Sequence, residues 1–260
     1  MRRRGFTPHG GVTALGGVLV LLGVLLAGCT TATSPDRDAQ ASPTGTATET
    51  SLTAEDIGEV DRAAATLALQ DAVAAVDSDA VKSAIARGAD LEVRGDGGRT
   101  PLVAATKAGH TRIALLLLES GADPDAKDDI EDSAFLYAGA EGLNEILVAA
   151  IDHGADVAST NRFGGTALIP ASEHGHLRTV ELLIEAGVPI DHINNLGWTA
   201  LHEAIVLGSG DGDHVRVVRA LLSSGADPEL PDGNGVAPRD LAVARGHWQI
   251  VAEIDRALAG

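Results

Sequence analysis

The side chains in this sequence able to do covalent, metal or proton chemistry are one thiol and a scattered set of acids and imidazoles. Cys29 is the only cysteine among 260 residues, so no disulfide can form within the chain and any acylation or nucleophilic role would fall to this thiol alone. Nine histidines are present, none with a second histidine at helical metal-ligand spacing, and there is no glycine-rich phosphate loop or nucleophile elbow. Glu173, His174, Glu203 and Asp211 form the one set that could hold a small ligand or a metal, provided that the ends of successive helices and the insert Ser209-Gly210-Asp211-Gly212-Asp213 converge. That insert contains an Asp-Gly-Asp like a piece of a calcium loop, but the bidentate glutamate such a loop needs downstream is missing. It reads as an extended surface loop. No catalytic residue, metal ligand or cofactor is therefore assigned, and the chain reads as non-enzymatic, with small-ligand or metal binding at those four residues as the alternative.

Charge narrows the partners. With 19 basic and 37 acidic residues the formal charge is −18, which repels nucleic acid phosphates and anionic headgroups, so nucleic acid is not an expected partner. The acids concentrate at Asp123, Asp125, Asp128, Asp129, Glu131 and Asp132. A solvated, solubilising run is the plain reading there, with a basic partner's face or a weak cation site as the alternatives.

The elements that position these groups are set by a repeat. Gly-Ala-Asp begins at Gly88, Gly121, Gly154 and Gly225, with Gly187-Val188-Pro189 standing in once; the first three gaps are 33 residues and the fourth is 38. A fixed period of this size marks a stacked solenoid in which each unit's apolar face is completed by its neighbour. Counting from Thr100, Ser133, Thr166, Thr199 and Ala237, Ala105, Ala138, Ala171, Ala204 and Ala242 recur at one site, and Gly109, Gly142, Gly175, Gly208 and Gly246 at another. Small residues let paired helices approach, and the glycine permits the turn that ends the first helix. In the second helix, Leu117, Ala150, Leu183 and Leu221, preceded at helical spacing by Ala114, Leu147, Val180 and Val218, mark one buried face.

Thr100-Pro101-Leu102-Val103-Ala104-Ala105 and Thr199-Ala200-Leu201-His202-Glu203-Ala204, with Gly109-His110, Gly175-His176 and Gly246-His247, resemble the ankyrin repeat. The resemblance covers roughly residues 62 to 260 in about six units. It implies an all-α solenoid of helix-turn-helix pairs, with β-hairpin fingers along one edge and a concave groove that binds proteins. It also assigns the turn histidines and His202 to structural roles. At the ends, Arg239 replaces an inner leucine and Val76-Asp77-Ser78-Asp79 replaces the glycine turn; polar exchanges there are expected of capping units. Asn161-Arg162-Phe163-Gly164-Gly165-Thr166, Glu173-His174-Gly175-His176 and Asn194-Asn195-Leu196-Gly197-Trp198 resemble stretches that recur together in a set of bacterial ankyrin proteins with a glycine-rich insert.

Ahead of the repeats, Arg2, Arg3 and Arg4 precede an apolar run from Leu15 to Leu26. This fits a signal-peptide core and is too short for a comfortable membrane-spanning helix. Leu26-Ala27-Gly28-Cys29 resembles the bacterial lipobox, which implies cleavage before Cys29 and its diacylation; Arg3-Arg4-Gly5-Phe6 resembles part of a twin-arginine export signal. Thr30 to Thr53 is composed of Thr, Ser, Ala, Pro and Gly with few large apolar residues, a composition unable to fold. The expected organisation is a lipoprotein signal peptide at 1–28, a lipidated cysteine and flexible linker at 29–55, and the repeats at 56–260. The place of action is the extracytoplasmic face of the cell membrane, facing the periplasm if an outer membrane exists.

Aromatic residues are scarce enough to be informative. Phe135 falls on a core site and Trp248 in the last unit, whereas Phe163 and Trp198 fall on fingers and Tyr137 on the groove side of a first helix. These last three are expected to be exposed, and exposed groove aromatics make interface anchors. Tyr137, Arg162, Phe163, His174, Asn195 and Trp198 are therefore the expected contacts for a protein partner, with packing of finger on finger as the alternative for Trp198 above all.

Overall fold

The computed structural model describes residues 54–260; the expectations for Cys29, the signal segment and most of the linker fall outside the described residues. The described chain forms twelve α-helices in six pairs. The pairs are α1 (Ala54–Ala74) with α2 (Ser78–Ala86), α3 (Pro101–Lys107) with α4 (Thr111–Glu119), and α5 (Ala134–Ala140) with α6 (Asn144–Asp152). They continue with α7 (Leu168–Glu173) and α8 (Leu177–Glu185), α9 (Ala200–Val206) and α10 (Gly212–Ser223), and α11 (Pro238–Arg245) and α12 (Trp248–Leu258). Each first helix packs on the first helix of the next unit and each second helix on the next second helix. The result is a two-layer stack.

The starts of the first helices are written in hydroxyls. Thr100, Ser133 and Thr199 each accept a hydrogen bond from the backbone N–H three residues on, satisfying a donor that the helix leaves free. In α9 the imidazole of His202 accepts the N–H of Thr199 in return, at 3.1 Å, closing a capping box. In the fourth unit Thr166 makes no such bond and its buried hydroxyl lacks a partner. Its helix, α7, is the shortest at six residues and carries Pro170 in its first turn, where a missing N–H breaks nothing.

The core follows the repeat. Leu102, Phe135, Leu168 and Leu201 are buried, as are Ala105, Ala138, Ala171, Ala204 and Ala242 and the second-helix series from Leu117 to Leu221. Close approach of first helices explains one helical glycine: a Cβ on Gly139 would stand 2.7 Å from the Cβ of Ala167. At the C-terminal end Arg239, in the site where inner units bury leucine or phenylalanine, turns outward to Asp255 at 2.5 Å.

Two features differ from the sequence reading. Helix α1 runs for 21 residues from Ala54, two residues ahead of the expected domain start at 56 and ahead of the motif resemblance that begins near 62, because its alanine-rich sequence contains no proline and no finger precedes it to end it. The fingers contain no β-strand among the described residues. Each inner finger closes with a single backbone rung, as from Asn161 N–H to Gly165 C=O at 2.9 Å, one bond short of a ladder. Val76, at φ +58, occupies the left-handed turn conformation that glycine takes in the other units. A β-branched residue there is strained.

Candidate functional site

The fingers are shaped by one side chain each. Asp128, Asn161, Asn194 and Asp232 occupy the same position, and each accepts the backbone N–H groups two and four residues ahead. This Asx turn folds the chain back on itself and leaves the residue two further on at the tip. The tips of the three central fingers are Ile130, Phe163 and Leu196, which are 49%, 55% and 60% exposed. Large apolar side chains are thus held in solvent in a row, one per unit. Phe163 C=O accepts the N–H of Asn195 at 2.9 Å, which ties the second tip to the third.

Beneath the second and third tips lies an open cavity of about 410 Å³. Tyr137 of α5, Pro170 and Glu173 of α7 and Glu203 of α9 contribute to its walls, and Phe163 and Leu196 overhang it. A second hollow of about 490 Å³ lies between the first two units, near Gln70, Arg99 and His110, and has no Phe, Tyr or Trp in its lining. The smaller cavity is the better candidate, because exposed apolar tips and a buried acid, Glu203, meet there.

Charge is distributed unevenly along the groove. Lys107 of α3, with a side chain only 12% exposed, reaches Asp128 at 2.6 Å and Asp132 at 2.8 Å, and its ammonium lies 5.3 Å from the ring centroid of Tyr137. Burial alone would push the Asp128 carboxyl up, but the Lys107 hydrogen bond and the N–H groups of Asp132 and Ile130 hold it below the usual range. Arg162 joins from the next finger, 3.3 Å from Asp132, with its guanidinium 4.7 Å from the Phe163 ring centroid. Glu203 contrasts with this. It is 5% exposed, accepts one hydrogen bond from Asn194 at 2.9 Å, and lies near Glu173 across the cavity floor. Burial, and then repulsion from Glu173, push its carboxyl up to about 7.

The expected contact residues separate into two groups. Tyr137, Arg162, Phe163 and His174 line the one cavity; Asn195 and Trp198 do not. The Asn195 side chain lies against Gly164, leaving no room for a Cβ there, and Trp198 is half-buried against the core. Of the three aromatics expected to be exposed, only Phe163 is so; Tyr137 is half-buried beside Lys107. Trp198 packs on the core because the Asx turn at Asn194 directs the chain inward after its tip. Ile130 and Leu196 were absent from the expected set, although the period from Phe163 marks both.

The four residues of the alternative ligand set do not converge. Glu173, His174 and Glu203 line the cavity, whereas Asp211 caps α10, accepting the N–H groups of Asp213 and His214. A hydrogen bond with the His214 imidazole holds the Asp211 carboxyl far below its ordinary value. Among the described residues no three His, Cys, Asp or Glu side chains are placed to hold a metal ion. The insert is part loop and part helix: Ser209–Asp211 lie outside regular structure, and Gly212 and Asp213 begin a second helix of 12 residues. His214 is the turn histidine displaced by it: its ring lies against Gly175 as that of His176 lies against Gly142, and it bonds Glu173 C=O at 2.8 Å. The acidic run is also structural in part. Asp125 accepts the N–H of Asp156 at 2.7 Å, as Glu92 accepts that of Asp123 at 2.8 Å one unit earlier.

The profile of the ankyrin-repeat family, described as ankyrin repeats in three copies, matches residues 48–128 and 135–232. A crystal structure of an ankyrin repeat domain from Acinetobacter baumannii AYE superposes with a TM-score of 0.71 at 46% identity, covering 73% of this chain and 96% of that one. A second crystal structure, of an ankyrin repeat protein, gives a TM-score of 0.71 at 36% identity over 74% of this chain and 98% of the other. A curated protein of Leifsonia xyli subsp. xyli (strain CTCB07), named as an ankyrin-containing lipoprotein, is 50% identical over 84 residues. That match spans 32% of this chain and 32% of the relative, about a third of each. Among the described residues no helix is long and apolar enough to cross a membrane.

Proposed function

This chain belongs to the ankyrin-repeat family, whose arrays are protein-interaction modules, and we propose that it is a lipid-anchored, non-enzymatic binding protein that holds a protein partner in the groove of units three to five. The observation that carries the reading is the row of apolar fingertips, Ile130, Phe163 and Leu196, exposed in register, the last two over one cavity. Interfaces draw most of their energy from a few aromatic and arginine anchors in partly enclosed pockets. Phe163 with Arg162 stacked on it, Tyr137 and His174 are placed for that role; Asn195 and Trp198 support the fingers that present them. A crosslinking amino acid placed at Phe163 in the native cell should give a discrete adduct, and one at Arg216 on the opposite layer should give none. Equal labelling from both positions overturns the groove reading.

The anchor is Cys29, following a signal peptide at 1–28, with a flexible linker over 29–55 ahead of the repeats at 56–260. The lipobox-like Leu26-Ala27-Gly28-Cys29 and the lipoprotein name of the Leifsonia relative support this. One acyl chain gives marginal membrane binding, around 10⁴ M⁻¹, whereas two hold firmly. The domain then acts on the extracytoplasmic face, toward the periplasm where an outer membrane exists. Cys29→Ser should abolish lipidation and release the protein from the membrane fraction; an unmodified Cys29 in mass spectra of the wild type sinks the anchor.

A further inference from the structure

Four carboxylates are buried in the described repeats: Asp128, Glu203, Asp232 and Glu253. Three are compensated from within the molecule. Asp128 pairs with Lys107 at 2.6 Å, Glu253 pairs with Arg219 and Arg256, and Asp232 accepts two backbone N–H groups at 2.9 Å. Glu203 has the neutral amide of Asn194, an acidic neighbour, Glu173, within hydrogen-bonding reach, and the His174 imidazole only at longer range. Among the described residues, no Lys, Arg or His nitrogen lies within 4.0 Å of either carboxylate. A buried carboxylate is normally paired, because removing it from water without a partner is expensive. Here the unpaired one forms the floor of a cavity that opens to solvent.

The walls above that floor suit one kind of side chain. Ile169, Pro170 and Leu196 line the same cavity as the two acids and give it an apolar side. A long side chain that buries its methylenes and ends in a cation matches that pair of surfaces. Arg162 lines the same cavity but is committed to Asp132 and the Phe163 ring, so the molecule does not fill the place itself. The overall charge of −18 attracts a basic segment from a distance.

We infer that the cavity is a receptor for a single basic side chain, lysine or arginine, borne on an otherwise apolar segment of the partner, with Glu203 and Glu173 as its acceptors. This rests on the groove reading and adds the partner's chemistry to it. The apolar flanks of the segment cover Phe163 and Leu196, while its cation replaces the missing counter-charge of Glu203.

Selection of random nonapeptides on the whole protein in detergent tests it, run in parallel on Glu203→Gln, on Glu173→Gln at the more exposed partner, and on Phe163→Ala. Wild type should enrich one lysine or arginine among apolar residues. That basic position should be lost on both glutamine variants while the apolar positions persist, and a selected peptide should bind either variant at least about tenfold more weakly. Thermal melts check that each variant is folded. Apolar enrichment without a basic position overturns the inference and leaves the groove standing. A basic position enriched equally on the glutamine variants also overturns it, since net charge alone would then explain the preference. Identical selections on wild type and Phe163→Ala overturn the groove and this inference together.

Discussion

Lys107 and Glu173 occupy the same place in their units, seven residues past Thr100 and Thr166, yet their surroundings are opposite. Lys107 is enclosed by Asp128 and Asp132 from the next finger, and nothing is left over. Glu173 faces another acid, and the finger nearest to that acid offers Asn194 where the earlier one offers Asp128. A solenoid can bury a charge whenever an adjoining unit brings the complement. Where the complement is withheld, the same scaffold holds an electrostatic debt that a ligand can settle.

Breaking the satisfied side should have the largest effect. Lys107→Met leaves the buried Asp128 with only Arg99 at 3.9 Å and Asp132 with only Arg162 at 3.3 Å and should destabilise by about 3–5 kcal/mol, measured by urea unfolding at pH 7. Acid should narrow the gap. The Asp128 carboxyl is depressed in the folded state, so its contribution is present above its unfolded value and lost as pH falls through the folded one. An unchanged unfolding midpoint would mean that the network is ornamental.

The unsatisfied side should respond with the opposite sign. Glu203 is raised from 4.5 to about 7, so folding favours its protonated form, and stability attributable to it is full below about pH 4.5 and lost as pH rises through about 7. The difference corresponds to roughly 3 kcal/mol. Glu203→Gln keeps an acceptor for Asn194 and should therefore stabilise the protein by up to about 3 kcal/mol at pH 8, with little effect at pH 4. The groups facing it, Glu173 and His174 of α7, remain in place in this variant. A variant that is less stable than wild type at both pH values would refute the account.

Two fingertip changes sharpen the comparison. Phe163→Ala should weaken a selected peptide by about tenfold, near 1.4 kcal/mol, while melting temperature stays close to that of wild type because the tip is exposed. Ile130→Ala, at the tip beside the neutralised Lys107 network and outside the cavity lining, should change binding by less than about threefold on the same scale. Isothermal calorimetry on both variants ranks the two; equal losses would spread the interface along the whole row.

Most of the stack was legible in the residues because burial repeats with the period: the leucine and alanine series fall where counting from Thr100 places them, and Gly109, Gly142, Gly175 and Gly246 take the positive φ of the turn, while Gly210 takes it in place of Gly208. What escaped depends on local hydrogen bonding. Glu203 and Trp198 stand close together in sequence, but the Asx turn at Asn194 decides that one closes the cavity floor and the other packs on the core. The acids at Asp125 and Asp128 look like a solvated run until their backbone N–H partners are seen. Leu196 and Ile130 were within reach, since each lies one period from Phe163, but aliphatic residues are too common to draw notice as the scarce aromatics do. The repeat motif begins only near residue 62, within α1, because a terminal unit has no finger to announce its start.

The five extra residues of the fifth unit carry a lesson about modularity. Neighbouring units require only that an imidazole arrive under Gly175, and His214 arrives there after a detour through Ser209–Asp213 that Asp211 turns into a helix start. Chain length between Gly208 and His214 is therefore decoupled from the geometry of the array. This junction is a natural graft point, where foreign loops of varied length could be installed provided that His214 keeps its bond to Glu173 C=O.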